Sequence, residues 1–161
     1  MKFLIYSLNF SPEPTGVGKY CGELAYWLAE RGHEIQVVTA QPYYPEWRVA
    51  EGFSAWRYRR ERIEVGAGRL DILRCPLWVP RRPRTLTRVL HLLSFAISSV
   101  IGLAAVVRSR PDLMLVSMPT ILIAPQAWLM SRLMRVPAWL HVQDFEVRAA
   151  LELNLIEATA R

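Results

Sequence analysis

The segment from Phe3 to Tyr20 constrains the fold of this chain more than any other part of the sequence. An apolar run ends at Asn9, a loop rich in proline and glycine follows, and an amphipathic stretch begins near Val17. This order predicts a β-strand, a glycine loop and the first turn of an α-helix. Backbone N–H groups and the helix dipole favour an anion at such a turn. We therefore expect a Rossmann-like domain that binds a phosphorylated or strongly polar ligand near Gly16 and Gly18.

The loop departs from two common nucleotide-binding motifs. A dinucleotide fingerprint needs a third glycine one residue before Gly22, and an acidic residue after the second strand, but Ile35–Thr39 is not directly followed by a carboxylate. A P-loop needs Ser or Thr after Lys19, where Tyr20 stands, and a glycine at position 13, which is Glu13. Both classes are therefore disfavoured. A tight turn with no ligand is the alternative.

Composition and charge limit the class of protein. A chain of 161 residues with 52% hydrophobic residues is long enough for one domain with a sizeable core. The net charge of +6 indicates an anionic partner. The two cysteines, Cys21 and Cys75, form neither a disulfide framework nor a zinc motif, and no metal site is expected. The N-terminus has no signal-peptide pattern, so we expect a cytoplasmic location.

Strand-like and helix-like segments alternate along the chain. Apolar strands separated by helices predict an α/β fold with a doubly wound, mostly parallel sheet. A short pair of strands around Gly66 and Gly68 is expected to form a hairpin or edge pair. The predicted strands are Lys2–Leu8, Ile35–Thr39, Arg62–Val65, Leu70–Cys75, Leu113–Ser117 and Ala138–Val142, and the predicted helices are Val17–Arg31, Thr85–Arg108, Ile121–Met134 and Val147–Thr159.

Ligands of such sheets bind beyond the carboxyl ends of the strands. That rule brings residues 9–19, 41–47, 118–120 and 143–146 to one edge. Asp144 could hydrogen-bond a sugar hydroxyl or hold a proton there, or simply cap a helix. His141, inside the last predicted strand, is expected to be a core residue.

Arginines among aromatic residues suggest a second surface. Arg57–Arg62 and Arg81–Arg88 could bind a membrane surface or a lipid pyrophosphate, or form a solvated face. No nucleic-acid-binding module matches the order of strands and helices, so nucleic acid is not expected as a partner. The uncharged stretch Leu92–Val107 is shorter than the roughly 20 apolar residues that span a bilayer, which favours a buried or membrane-apposed helix.

Four segments together resemble the N-terminal half of family 4 glycosyltransferases, especially the fucosyltransferase type of colanic-acid biosynthesis. They are Asn-Phe-Ser-Pro-Glu-Pro-Thr-Gly-Val-Gly-Lys-Tyr at 9–20, Leu-Ala-x-x-Leu-Ala-x-Arg-Gly-His-Glu-Ile-x-Val-Val-Thr at 24–39, Pro-Tyr-Tyr-Pro at 42–45, and His-Val-Gln-Asp-Phe-Glu at 141–146. The resemblance implies one half of a GT-B fold, in which two Rossmann-like domains face a cleft. It also implies retaining transfer, without a metal or cofactor, from a nucleotide-sugar such as a GDP-sugar.

The same resemblance assigns roles to individual residues. Gly16, Gly18 and Lys19 would contact the donor diphosphate. Many relatives have a histidine at the position of Gln143, so Gln143 and Asp144 are expected to contact the transferred sugar without the proton chemistry of a histidine. The acceptor or membrane side would be formed by Tyr43, Tyr44, Trp47, Arg81, Arg82 and Arg84.

The resemblance also implies what the other half of such an enzyme supplies. In the family a C-terminal domain carries the donor pocket and a Glu-x₇-Glu motif, and no glutamate here is followed by another eight positions later. We therefore expect residues 1–161 to form the N-terminal acceptor-side domain, with the C-terminal donor-binding domain missing and no activity alone. Its acceptor would be a lipid-linked or polysaccharide chain of bacterial exopolysaccharide synthesis, at the inner face of the plasma membrane. The alternative is a non-catalytic module that binds a polyprenyl-linked sugar or a partner subunit.

Overall fold

The first strand, β1 (Lys2–Ser7), lies inside the sheet because its side chains are apolar in both directions. Leu4 and Tyr6 point to one face, Ile5 points to the other, and all three are fully buried. The computed structural model describes residues 1–118 and 121–142. Within these ranges, β1 pairs in parallel with a strand on each side.

The described residues form a six-stranded sheet in the order β3-β4-β2-β1-β5-β6. All neighbouring strands are parallel except β3 and β4, which form an antiparallel hairpin at one edge. The mostly parallel α/β sheet predicted from the sequence is therefore confirmed. The remaining strands are β2 (Glu34–Ala40), β3 (Arg59–Val65), β4 (Gly68–Cys75), β5 (Leu113–Met118) and β6 (Ala138–Val142).

Helices cover both faces of the sheet, as a doubly wound fold requires. Helix α1 (Gly16–Glu30) packs through Cys21 and Ala25 on the face that contains Ile5. Helices α2 (Thr85–Val106) and α3 (Ala124–Met134) pack on the face that contains Leu4 and Tyr6. A 3₁₀ turn extends α2 at Val107–Ser109, and another precedes α3 at Ile121–Ile123.

One expectation about burial was wrong at the edge of the sheet. All five residues of β6 are exposed. His141 lies on β6 and is exposed rather than packed in the core. The physical reason is position, because β6 is an edge strand and none of the described helices covers it enough to bury it.

Helix α2 is anchored to the sheet along one side. The Tyr6 hydroxyl and the Ser99 hydroxyl share a buried hydrogen bond of 2.6 Å, and Gln126 of α3 donates to both oxygens. A Cβ atom at Gly102 would lie 2.7 Å from the Cys75 sulfur, so helix and sheet approach closely there. By length and mean hydropathy alone, the segment Thr85–Ser109 could also cross a membrane.

Candidate functional site

Two loops meet at the carboxyl edge of the sheet, and Glu13 joins them. Glu13 lies in the loop between β1 and α1, and its Oε1 accepts hydrogen bonds of 3.0 Å from the backbone N–H groups of Tyr43 and Tyr44. Its Oε2 accepts a 2.8 Å bond from the side-chain amide of Asn9. One buried carboxylate therefore holds the proline–glycine loop against the aromatic loop that follows β2.

The environment of Glu13 disfavours its charged form. Burial raises the pKa of the Glu13 carboxyl above its ordinary value. The hydrogen bonds from Tyr43, Tyr44 and Asn9, and the positive charge of Arg74, lower the pKa and offset part of that effect. Sequence reasoning missed Glu13. The available signal was an acidic residue between two prolines in an otherwise apolar stretch.

Arg74 lies under the same loop at the end of β4, and it too was missed by sequence reasoning. Its side chain is only 2% exposed. Its Nε donates to Glu61 at 2.7 Å and its Nη2 donates to the Ser11 carbonyl at 2.7 Å, while Nη1 is buried without a hydrogen-bond partner among the described residues. The guanidinium also lies near the Phe53 ring. Arg74 therefore ties the glycine loop to the β3–β4 hairpin.

The start of α1 lies beside this junction. The N-cap residue, Thr15, makes no side-chain capping bond, and the first turn contains no acidic residue. Gly16 has a φ of +59° and open space around the position of a Cβ atom. Lys19 is exposed and lies 3.8 Å from the Glu23 carboxylate one turn later. This first turn has the N–H groups and the space that an anionic ligand requires.

Gly18 faces the protein interior and not the open side of the loop. A Cβ atom there would lie 2.5 Å from Oε2 and 2.7 Å from Cβ of Glu13. Gly22 has the same relation to Ser11, whose Cβ would be 2.7 Å away. The structural role of Gly18 is therefore to let the loop pack closely on α1. A diphosphate contact through its backbone stays a prediction.

The aromatic residues of the second loop divide into two groups. Tyr43 is buried and packs edge-on against His91, with ring centroids 4.6 Å apart. Trp47, at a φ of +51°, packs against both of these rings, and the Arg88 guanidinium lies over it. Burial lowers the pKa of His91, and its Nδ1 bonds the Trp78 carbonyl at 2.7 Å. Tyr43 and Trp47 therefore fix the loop on α2, a structural role that the sequence did not indicate.

Within residues 41–48, Tyr44 is the exposed aromatic residue. It lines an open groove of about 370 Å³ together with Glu13 and Arg48. A second groove of about 430 Å³ lies beside α1 and includes Lys19. Glu13 borders both grooves, so the two loops and α1 form a continuous concave edge. Of the segments predicted to meet at this edge, residues 9–19 and 41–47 do so, whereas residues 119–120 and 143–146 lie outside the described part of the chain.

The two arginine groups differ in their surroundings. In the first group, on and before the β3–β4 hairpin, three arginines have an acidic partner: Arg60 and Arg62 share Asp71, and Arg59 pairs with Glu61. The second group precedes or begins α2 and makes no ion pair within the described residues. It comprises Arg81, Arg82 and Arg84, all exposed, next to the turn of α2 that contacts the aromatic loop.

Gln143 and Asp144 lie outside the described residues, so their predicted contact with a sugar stays a prediction. Among residues 1–118 and 121–142, no group of three His, Cys, Asp or Glu side chains could hold a metal ion.

Comparison with known proteins decides the family. The model of the glycosyl transferase 4-like domain matches residues 15–160, nearly the whole chain. This chain belongs to that family. The family 4 resemblance read from the motifs is therefore confirmed. In this glycosyl transferase 4-like chain, the candidate site lies where the glycine loop and the aromatic loop meet.

Two relatives support the assignment. The chain is 50% identical over 155 residues to a protein of Escherichia coli (strain K12) assigned to colanic acid biosynthesis as the glycosyl transferase WcaI. The match covers 96% of this chain and 37% of that relative, so the chain spans little more than a third of WcaI. The catalytic domain of starch synthase IV from Arabidopsis thaliana, solved with ADP and acarbose, matches with a TM-score of 0.58 at 13% identity. That structural match covers 90% of this chain and 34% of the other, and it confirms the fold expected of one GT-B domain.

Proposed function

We propose that this chain is the acceptor-side domain of a sugar transferase, which moves a sugar from a nucleotide-sugar to a lipid-linked or polysaccharide acceptor in bacterial exopolysaccharide synthesis. The observation that carries the proposal is the junction at Glu13. There the uncapped start of α1 at Gly16 and the exposed Tyr44 are held on one concave edge. The family assignment and the similarity to WcaI support the reaction class and the pathway.

In this proposal the two sides of the edge have different tasks. The backbone N–H groups near Gly16, with Gly18 and Lys19, bind the diphosphate of the donor. Hydrogen bonds from such groups stabilise the negative charge that develops on the departing diphosphate. Tyr44 binds the acceptor by stacking, and Tyr43 and Trp47 support its loop from below. Gln143 and Asp144 contact the transferred sugar.

The described residues form one side of a cleft, and sugar transfer needs a cleft that is closed on both sides. A closed cleft excludes water and keeps the activated sugar from hydrolysis. We therefore propose that residues 1–161 alone transfer no sugar, and that they act with a donor-binding domain. The donor is a nucleotide-sugar, a GDP-sugar being one candidate, and no metal or other cofactor is required. The place of action is the cytoplasmic face of the membrane, where a lipid-linked acceptor would be found.

A domain replacement tests the proposal. The 155 matching residues of WcaI are replaced by this chain, and the chimera is tested for colanic acid production in a strain that lacks WcaI. We expect the chimera to restore production, and Gly16→Asn within it to abolish production while leaving the protein folded. An asparagine side chain at Gly16 would block the diphosphate, and asparagine tolerates the left-handed φ of +59° at this position. Tyr44→Ala should weaken production, whereas Tyr20→Ala, an exposed tyrosine on α1, should not.

Two results would contradict the proposal. Sugar transfer by the isolated 161-residue chain, above the level of a heat-inactivated sample, would show that this domain needs no donor-binding domain for activity. A folded chimera that restores no colanic acid production would favour the non-catalytic module that binds a polyprenyl-linked sugar or a partner subunit.

A further inference from the structure

Helix α2 has an apolar face that the described residues leave uncovered. Its inner side is buried through His91, Phe95, Ser99, Gly102 and Leu103. Its outer side exposes a continuous series of large aliphatic residues, each between 38 and 72% exposed. They are Leu86, Val89, Leu90, Leu93, Ile97, Val100 and Ile101.

The spacing of these residues places them in one stripe. At 100° per residue they fall within roughly 120° of arc, along nearly the full length of the helix. A helix of 22 residues is about 33 Å long. Exposed apolar residues scattered singly are normal, but a contiguous patch of this kind marks an interaction surface.

The charges around the stripe identify its partner. Between Pro76 and Pro111 the sequence has no aspartate or glutamate, and its six arginines flank the helix. Arg81, Arg82 and Arg84 precede it, and Arg88 lies in its first turn. Arg108 and Arg110 follow it. An apolar stripe with basic ends matches the headgroups and acyl chains of an anionic bilayer. A second copy of the chain fits poorly, because either pairing of two α2 helices would bring arginines together.

The packing of α2 on the sheet determines whether this helix can span a membrane or lie flat on it. The segment is apolar enough to span a bilayer, with a mean hydropathy of 2.2 over its best window. Spanning would require α2 to leave the sheet, breaking the buried Tyr6–Ser99 hydrogen bond and exposing Phe95 and Leu103. A helix that stays packed on the sheet can only lie flat, with its outer face in the interface.

From this geometry we infer that α2 is an interfacial helix, lying in the plane of an anionic membrane with its Leu86–Ile101 stripe among the acyl chains. The inference rests on the proposed function in one respect, because it supplies the membrane surface that a lipid-linked acceptor requires. The aromatic loop of the candidate site packs on the first turns of α2 through Trp47, Arg88 and His91. Docking of the stripe would therefore hold Tyr44 and its groove beside the lipid headgroups.

The test uses the 161-residue chain and vesicles of phosphatidylglycerol with phosphatidylcholine. We expect co-sedimentation with these vesicles at low salt, little with pure phosphatidylcholine, and at least tenfold weaker binding in 0.5 M NaCl. The triple variant Leu90→Gln/Ile97→Gln/Ile101→Gln should bind at least tenfold more weakly. The matched control is Trp128→Gln/Leu129→Gln/Leu133→Gln on α3, which changes three apolar residues of similar exposure and should bind normally.

Labelling gives the orientation independently. Both native cysteines are buried, and burial raises the pKa of Cys75 to about 12, so a new exposed cysteine can be labelled selectively. A polarity-sensitive dye on Ile97→Cys should shift to the blue on anionic vesicles. The same dye on Leu133→Cys should not shift.

Three outcomes would overturn the inference. Equal, salt-resistant binding to neutral vesicles would show that the arginines and the anionic headgroups play no part. Equal loss of binding in both triple variants would show that the stripe has no special part. A salt-stable dimer that dissociates in the α2 variant, with no vesicle binding, would assign the stripe to a second copy. Each of these readouts is independent of sugar transfer. A negative result with vesicles would therefore not contradict the proposed sugar transfer, and a chimera that restores no colanic acid production would not contradict the interfacial role of α2.

Discussion

The Oε1 atom of Glu13 lies 3.0 Å from the backbone nitrogen of Tyr43, thirty residues away in the sequence. The bond joins the loop that starts α1 to the loop that carries the exposed Tyr44. A buried carboxylate that bonds two backbone N–H groups acts as a fixed clamp, because those donors would otherwise be buried without partners. The shape of the candidate site therefore depends on Glu13 as much as on the residues that line it.

Removing the clamp should destabilise the chain measurably. Glu13→Ala leaves the N–H groups of Tyr43 and Tyr44 and the Asn9 amide without their acceptor, so we expect a loss of about 2–3 kcal/mol in the free energy of unfolding. Urea denaturation measures the loss. Glu23→Ala, at an exposed glutamate that borders the second groove, is the control and should change stability by less than about 0.5 kcal/mol. Equal effects for the two variants would contradict the clamp.

The pH dependence of stability should show the burial of Glu13. Its pKa is raised above the ordinary value of 4.5, so the folded state holds this proton more tightly than the unfolded state. Its stabilising contribution is complete below pH 4.5 and is lost as the pH rises through the higher pKa of the folded state. Glu13→Gln should flatten that fall. Asp71 has the opposite sign, because the Arg60 hydrogen bonds lower its pKa from the ordinary value of 3.8. Its stabilising contribution is complete above pH 3.8 and is lost as the pH falls through the lower pKa of the folded state, so Asp71→Asn should remove this loss.

The two loop glycines should respond differently to the same substitution. Asparagine tolerates the left-handed conformation of Gly16, where space is open, so Gly16→Asn should cost less than about 1 kcal/mol. Gly18→Asn would force a side chain into Glu13 and should cost at least about 2 kcal/mol. Thermal unfolding of both variants is the measurement. A Gly18 variant as stable as the Gly16 variant would show that the loop can shift without strain.

Arg74 should be far less replaceable than the surface arginines of the same hairpin. Arg74→Met leaves Glu61 and the Ser11 carbonyl without a buried partner, and we expect a loss of about 3 kcal/mol. The matched control is Arg62→Met, which removes an exposed arginine 3.4 Å from Asp71 and should cost about 0–1 kcal/mol. Chemical denaturation separates the two. Similar losses would mean that the burial of Arg74 adds nothing to its ion pair.

The local pattern of the sequence determined the elements and the fold class. Periodicity placed all six strands, with Ala138–Val142 matched in full, because short alternating or continuous apolar runs bounded by turn residues are typical of β-strands. The glycine loop marked the start of α1 to within one residue. The strand-end rule also brought the two loops to one edge, since it depends only on parallel strands.

Only the tertiary structure decided which residues build the site and which support it. Tyr43, Tyr44 and Trp47 are all aromatic residues of one short segment, yet Tyr43 and Trp47 pack on His91 while Tyr44 is exposed at the groove. The roles of Glu13 and Arg74 could be recognised only in the folded chain. The sheet places β4 beside β2, and this brings Arg74 beneath the loop at Ser11, which lies 63 residues earlier in the sequence. Exposure of β6 and of the outer face of α2 likewise depends on what covers them. Burial and hydrogen-bond partners arise from contacts between distant segments, and no local pattern of residues encodes them.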